Sequence, residues 1–421
     1  MPYPRFRINM PAGELLLSLL QGLRKFRTGL LETEFLNRFR ELGGFPGTVP
    51  VGSGRAGFRL LLESMGMEPG AEIIFPAYTF HPIPAAVAEC GFKPVFADVD
   101  PFTWNIDPEK IPPLINPRTR AVMPTHLFGV PAAMDRINEI ARKHNLKVVE
   151  DCAHGLGAKY NGRPAGTLGD AALFTFAMSK NLPCWGGGAM TVKDPDLADR
   201  MRAALGDGPP PGGLTILKGQ AFNIAAILLT QPVVFPWTLY PLIRLSARMS
   251  SNFFDRPFLE EVTPISSARG ERGGKSVAKQ FAPFQAAVGL RQLVRFPRWL
   301  EKQEANARRL RSLLADCPGL RLQKEPEGTR SSFLYLRAWV EDTREVRHAL
   351  LRHGVDTKPD DMRNCAGLEI FEHRPQCPVA EGLGGRCIEL PCSPFYSRRQ
   401  IEDIAARVSR AMTTLTEESI K

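Results

Sequence analysis

Between residues 47 and 200 the chain alternates two patterns. Short apolar runs that end in polar residues are separated by stretches with helical spacing. Ala71-Glu72-Ile73-Ile74-Phe75-Pro76, Lys93–Asp98, Ala121–Pro124, Val148-Val149-Glu150-Asp151 and Phe174-Thr175-Phe176 each read as a strand. Gly52-Ser53-Gly54-Arg55 opens a predicted helix over Ala56–Met65, and Asp135–His144 reads as a helix feeding the Asp151 strand. Strands alternating with helices in this way predict an α/β fold with a mainly parallel sheet. Farther on, a long helix is expected over Trp299–Asp316, strands near Ser332–Val340 and Cys387–Leu390, and a closing helix starting near Arg398. The expected division is an N-terminal helical arm over 1–45, a large domain over 46–298 and a smaller C-terminal α/β lobe over 299–421. In the arm, Leu15, Leu16, Leu19, Leu20 and Leu23 recur at helical spacing, with Arg24, Lys25 and Arg27 behind them.

A length of 421 residues accommodates two domains, and 43% hydrophobic with 23% charged residues is an ordinary globular balance. The net charge of +10 admits anionic partners. No nucleic-acid motif accompanies it, so no nucleic acid is expected. The eight cysteines show no CxxC spacing, which argues against a zinc site, and no metal is expected. The start, Met1-Pro2-Tyr3-Pro4-Arg5-Phe6-Arg7, has no signal-peptide core, so a cytoplasmic location with free thiols is expected.

One segment breaks the pattern, an insertion at about 205–270. Within it Gly219–Ile243 carries no charge, while Lys218, Arg244 and Arg248 flank it. The length would span a bilayer. Gln220, Asn223, Gln231 and the prolines Pro232, Pro236 and Pro241 argue against a clean span. Three readings stay open: a buried or subunit-facing segment, a peripheral membrane contact through 219–243, or a span.

The chemistry concentrates where two strands end. One delivers an acid, Asp151, and the other leads to an amine, Lys180, followed by Gly186-Gly187-Gly188. Open α/β sheets bind ligands at the carboxyl ends of parallel strands. An acid and a lysine placed there suit pyridoxal phosphate: the lysine can form a Schiff base, and the acid can keep the pyridine nitrogen protonated. At Gly52-Ser53-Gly54-Arg55, small residues at a helix start make a ready phosphate site, to which Arg55 can add a charge-assisted bond.

The runs Glu150-Asp151-Cys152-Ala153-His154-Gly155, Asn161-Gly162-Arg163-Pro164-Ala165-Gly166, Phe174-Thr175-Phe176 and Ser179-Lys180-Asn181 resemble the DegT/StrS-type sugar aminotransferases. The resemblance implies a pyridoxal phosphate-dependent transferase of fold type I and a homodimer. It implies Lys180 and Asp151 as catalytic residues. Ser53, Gly54, Arg55 and Thr175 would hold the phosphate, Phe80 would stack on the ring, and His154 would lie near it. In two places the chain departs from the family. Arg55 stands where a threonine is usual. Ala278-Lys279-Gln280-Phe281 stands where the family carries an asparagine and an arginine, and Lys279 is the residue there that could substitute electrostatically.

The expected activity is therefore transfer of an amino group from an amino acid, glutamate by the resemblance, to a keto sugar carried on a nucleotide. Such a reaction would serve cell-surface polysaccharide or secondary-metabolite synthesis. Alternatives are a lipid-like or lipid-linked acceptor at the membrane, a sugar dehydratase, or a non-catalytic regulator that binds the same cofactor. Relatives that dehydrate sugars carry histidine in place of the lysine, so Lys180 favours transamination.

Overall fold

The structure is a computed structural model, and it describes residues 1–5, 30–205, 221, 224–248, 281–358 and 360–420. The leucine stripe of the arm, Lys218, Gln220, Asn223 and Ala278–Gln280 lie outside the described residues.

Seven strands form the central sheet: β1 (Thr48–Val51), β2 (Glu72–Pro76), β3 (Lys93–Ala97), β4 (Thr119–Val122), β5 (Lys147–Asp151), β6 (Ala171–Thr175) and β7 (Gly188–Val192). Their order is β1-β7-β6-β5-β4-β2-β3. The pairs from β6 through β3 are parallel, whereas β7 runs antiparallel to β6 and β1 antiparallel to β7. The expected mainly parallel sheet is present. The strand ends differ from the sequence reading by one to a few residues. Phe176 lies just past β6, and its backbone N–H still bonds the Gly187 carbonyl at 2.9 Å, next in the register with β7.

Parallel strands in such folds are covered on both faces, and these strands alternate accordingly. Ile73, Phe75, Phe96, Val149 and Leu173 enter one core, with Phe58 and Leu61 of α2 (Gly54–Ser64) and Ala86 of α3 (Pro82–Glu89). On the opposite face, Ile74, Val95, Val122 and Val148 meet Ile137 and Ile140 of α4 (Met134–Lys143). Farther along that face, Ala172 and Phe174 meet Phe35 and Phe39 of α1 (Leu30–Gly43). α5 (Pro195–Leu205) follows β7 and buries Ala198, Met201 and Leu205 in the first core. α6 (Leu239–Arg248) lies in the insertion, and α7 is a single helix of 31 residues, Pro283–Leu313. The sequence reading started that helix at Trp299. Pro297 sits inside it, and its ring costs one backbone bond without ending the helix.

The smaller lobe holds a three-stranded antiparallel sheet of β8 (Arg321–Leu322), β9 (Leu336–Trp339) and β10 (Cys387–Leu390). It is packed by α7, α8 (Thr343–Arg352) and the closing helix α10 (Arg398–Ile420). Tyr3 belongs to the same core and bridges to Val355. Between β9 and β10 the chain returns to the large sheet. Met362, Cys365, Phe371 and Ala380, the last in α9 (Pro378–Leu383), are buried in its core, and Arg363–Asn364 pairs with Tyr78–Thr79. The two sheets are thus stitched together beside the carboxyl ends of β4, β5 and β6. All eight cysteines are free thiols.

Candidate active site

A cavity of about 730 Å³ opens at that junction. The eight candidate site residues line it: Ser53, Gly54, Arg55, Phe80, Asp151, His154, Thr175 and Lys180. Four separated segments supply them, and the fold accounts for each.

Asp151 is the last residue of β5 and is 4% exposed. Its Oδ1 accepts the Ala153 N–H at 2.9 Å, which fixes the carboxylate at the strand end. Burial pushes its carboxyl above the ordinary aspartate range, opposed by the Ala153 N–H, Lys180 and His126. The preceding residue anchors the turn beneath. The Glu150 carboxylate accepts the N–H groups of Gly166, Leu168 and Gly169 and bonds His126 Nε2 at 2.9 Å. His126 Nδ1 accepts the Ala132 N–H at 3.1 Å, so its Nε2 carries the proton given to Glu150. His126 is fully buried and its two ring nitrogens are spent on the scaffold, as a structural histidine requires.

Lys180 is half-buried and held through its neighbours. Its N–H bonds the Ala177 carbonyl at 3.0 Å. The Tyr335 hydroxyl, from the small lobe, donates to the Ser179 carbonyl at 3.1 Å. On the other side Asn181 donates to the Leu156 carbonyl at 3.2 Å and accepts from Gln303 of α7 at 2.9 Å. The backbone that carries the amine is therefore fixed from both lobes. His154 stacks on Phe128 with centroids 5.6 Å apart and planes 18° apart, and its Nδ1 accepts the Phe128 N–H at 3.2 Å. Burial, and then the charge of Lys180, hold its pKa well below the usual histidine value, so the ring is neutral with its proton on Nε2.

Ser53 caps α2, its Oγ accepting the Ala56 N–H at 3.2 Å. Beside it two glycines let backbone crowd the cavity wall. A Cβ on Gly54 would lie 3.2 Å from the Thr175 Cβ, and one on Gly188 would lie 2.5 Å from the Phe174 carbonyl oxygen. The Thr175 hydroxyl comes within 3.5 Å of the Gly187 carbonyl. A helix N-terminus, a hydroxyl and the exposed Arg55 side by side make a site for a dianion such as a phosphate ester.

The sequence reading missed one wall. Tyr335, Lys358 and Asp361 also line the cavity. They belong to an ion cluster around Arg337, which is 1% exposed and lies 4.1 Å from the Phe128 ring centroid. Arg337 bonds Glu389, Asp361 at 3.0 Å and Asp360 at 3.4 Å. Lys358 reaches Asp361 at 2.8 Å, and the Tyr78 hydroxyl donates to Asp360 at 2.6 Å. Lys358 and Arg337 hold the Asp361 carboxyl far below the usual aspartate range, against the opposing effect of its burial. Burial dominates at Asp360 and pushes it up to about 6. Along the chain, Asp356-Thr357-Lys358-Pro359-Asp360-Asp361 reads as a solvated turn, and no periodicity marks it for burial. His81, next to Phe80, is a further cavity residue that no motif had marked.

A doubly covered, mainly parallel sheet with a lysine, an acid and a helix N-terminus at its carboxyl edge has the form of an α/β ligand-binding protein. Sequence comparison makes this specific: the chain matches the DegT/DnrJ/EryC1/StrS aminotransferase family over residues 15–211 and 276–409, and it belongs to that family. It is 40% identical over 374 residues to UDP-N-acetyl-3-dehydro-alpha-D-glucosamine 3-aminotransferase of Acidithiobacillus ferrooxidans, covering 88% of this chain and 86% of that protein. It is 42% identical over 183 residues to GDP-perosamine synthase of Caulobacter vibrioides, covering 44% of this chain and 49% of that protein. That match, like several others to curated relatives, spans about half of the relative's length. Among solved structures, S. venezuelae DesV in complex with a ketimine intermediate superposes with a TM-score of 0.76 at 25% identity, over 98% of each chain.

Proposed function

We propose that this chain is a pyridoxal phosphate-dependent aminotransferase that moves an amino group from an amino acid to a keto sugar carried on a nucleotide. One observation carries the reading: in a member of this family, Lys180, Asp151 and the Ser53–Arg55 cradle converge on a single cavity large enough for cofactor and substrate together. The names of the Acidithiobacillus and Caulobacter relatives, with their UDP and GDP sugars, support the acceptor class.

The residues present fit the cofactor. Its phosphate suits the N-terminus of α2 with Ser53, Gly54, Arg55 and Thr175, where the glycine backbone approaches too closely for a side chain to fill the space. Phe80 offers an aromatic face and His154 a neutral imidazole. When bound, pyridoxal phosphate supplies an electron sink for the carbon that bears the amine. Asp151 would hold a proton at the pyridine nitrogen, its carboxylate oriented by the Ala153 N–H. Lys180 would hold the cofactor through Nζ, and the same amine, once free, would serve as the acid and base for the donor and acceptor carbons. The Tyr335 and Asn181 contacts fix the backbone on either side of Lys180. Glutamate is the proposed donor. A second copy of the chain, as a homodimer, is the proposed assembly.

The test is the visible absorption of the purified protein with pyridoxal phosphate, before and after glutamate. A lysine-bound chromophore that glutamate bleaches is expected. Lys180→Ala should lose the bound band and fall at least about 1,000-fold in amino transfer while melting like the parent. Normal turnover in that variant would overturn the reading.

A further inference from the structure

Six large apolar side chains between 228 and 245 stand in solvent: Leu228 (47% exposed), Val233 (72%), Val234 (37%), Trp237 (83%), Leu242 (50%) and Leu245 (54%). They make up half of the exposed large apolar side chains among the described residues. Soluble surfaces rarely collect such a group, and when they do it marks a contact. The segment is folded rather than loose. Leu239, Tyr240, Ile243 and Ala247 of α6 pack with Phe235 against Leu351 of α8, and the Tyr240 hydroxyl donates to the Leu351 carbonyl at 2.5 Å. One face of α6 thus anchors it to the small lobe. Leu242 and Leu245, one turn apart, occupy the outer face with Pro241. Leucines outside the packed face, on a helix that also carries Arg244 and Arg248, suit the boundary between water and an apolar phase.

Charge indicates which phase. From 208 to 254 the chain contains no Asp or Glu, while Lys218, Arg244 and Arg248 are basic, and the whole chain carries +10. A twofold axis through this segment would set it against itself, basic against basic, with no carboxylate between 208 and 254 to pair. An anionic lipid headgroup layer supplies the missing negative charge, and its acyl boundary takes Trp237, Leu242 and Leu245. Tryptophan is the side chain favoured at that boundary. No helix among the described residues is long and apolar enough to cross a membrane, so the contact lies in the interface.

We infer that residues 228–245 form a peripheral docking surface for anionic lipid, with Trp237 and Leu245 as the inserting side chains. This goes beyond the aminotransferase reading and stands or falls separately from it.

The full-length protein is floated with vesicles of phosphatidylcholine alone and of phosphatidylcholine with phosphatidylglycerol, and tryptophan emission is followed in parallel. Flotation with the anionic vesicles and a blue shift of the emission are expected. The double variant Trp237→Ser with Leu245→Ser should reduce the bound fraction at least about tenfold. Val294→Ser, at an 84% exposed apolar position of α7 outside the 228–245 segment, should leave binding intact. Circular dichroism confirms that each variant is folded. Absence of flotation with either vesicle, or flotation unchanged in the double variant, would overturn the proposal. So would a wild-type oligomer that dissociates in the double variant while vesicles are ignored, because the patch would then be a contact between copies.

Discussion

Asp360 and Asp361 are neighbours in the chain with opposite electrostatics. Asp361 receives Lys358 and Arg337 at 2.8 and 3.0 Å and stays ionised throughout the ordinary pH range. Asp360 is deeper, shares the same Arg337 at 3.4 Å, and is pushed up to about 6 by burial. A carboxyl whose folded pKa is raised stabilises the fold most while protonated. Its contribution is complete below the unfolded value near 4 and is lost as pH rises through about 6. Asp360→Asn, which removes that ionisation, should therefore gain stability relative to the parent as pH climbs from 4 to 8, by on the order of 2–3 kcal/mol at the upper end. Thermal melts of both proteins across that range would show it. A stability difference that stays flat with pH would mean that Asp360 titrates as an ordinary carboxyl.

Among elements, the meeting of β6, β7 and α2 matters most, because it builds the proposed anion cradle. Gly188 pairs with Thr175 on one side and Val51 on the other. Its missing side chain allows the Phe174 carbonyl and the Gly54 Cα to close in, 2.5 and 3.1 Å from where a methyl group would sit. Gly188→Ala should cost about 1–3 kcal/mol and weaken cofactor retention, since the strand must move away from the helix start. Gly382→Ala has nothing within 4 Å and is the control, expected to stay within about 0.5 kcal/mol of the parent. Denaturant melts and retained absorbance after gel filtration separate the two. The strands themselves were legible in the sequence, because a parallel strand buried on both faces must be almost wholly apolar until it ends. The long helix was only half legible: Pro297 obscured its first half, where Ala286, Gly289 and Leu293 pack under α1.

At the scale of the whole molecule, the two lobes share one cavity, and the small lobe reaches it twice, first with Tyr335 and then with Lys358, Asp361 and Met362. A homodimer is the expected assembly. Sedimentation equilibrium should then give twice the 46.6 kDa chain mass, and a single-chain mass at working concentration would remove it. The sequence by itself determined the sheet, the position of Asp151 at a strand end, and Lys180 just past the next strand. These follow from the order of apolar and polar residues over a few positions, which is what sets a strand's length and its last side chain. Only the tertiary structure decided the wall made by Tyr335, Lys358 and Asp361, and which apolar residues of 228–245 face outward. Convergence of segments more than 150 residues apart depends on how whole elements pack, and burial of a charged run depends on counter-charges from elsewhere. Arg337 and Glu389 supply those charges here, and nothing in the local pattern around Lys358 announces them.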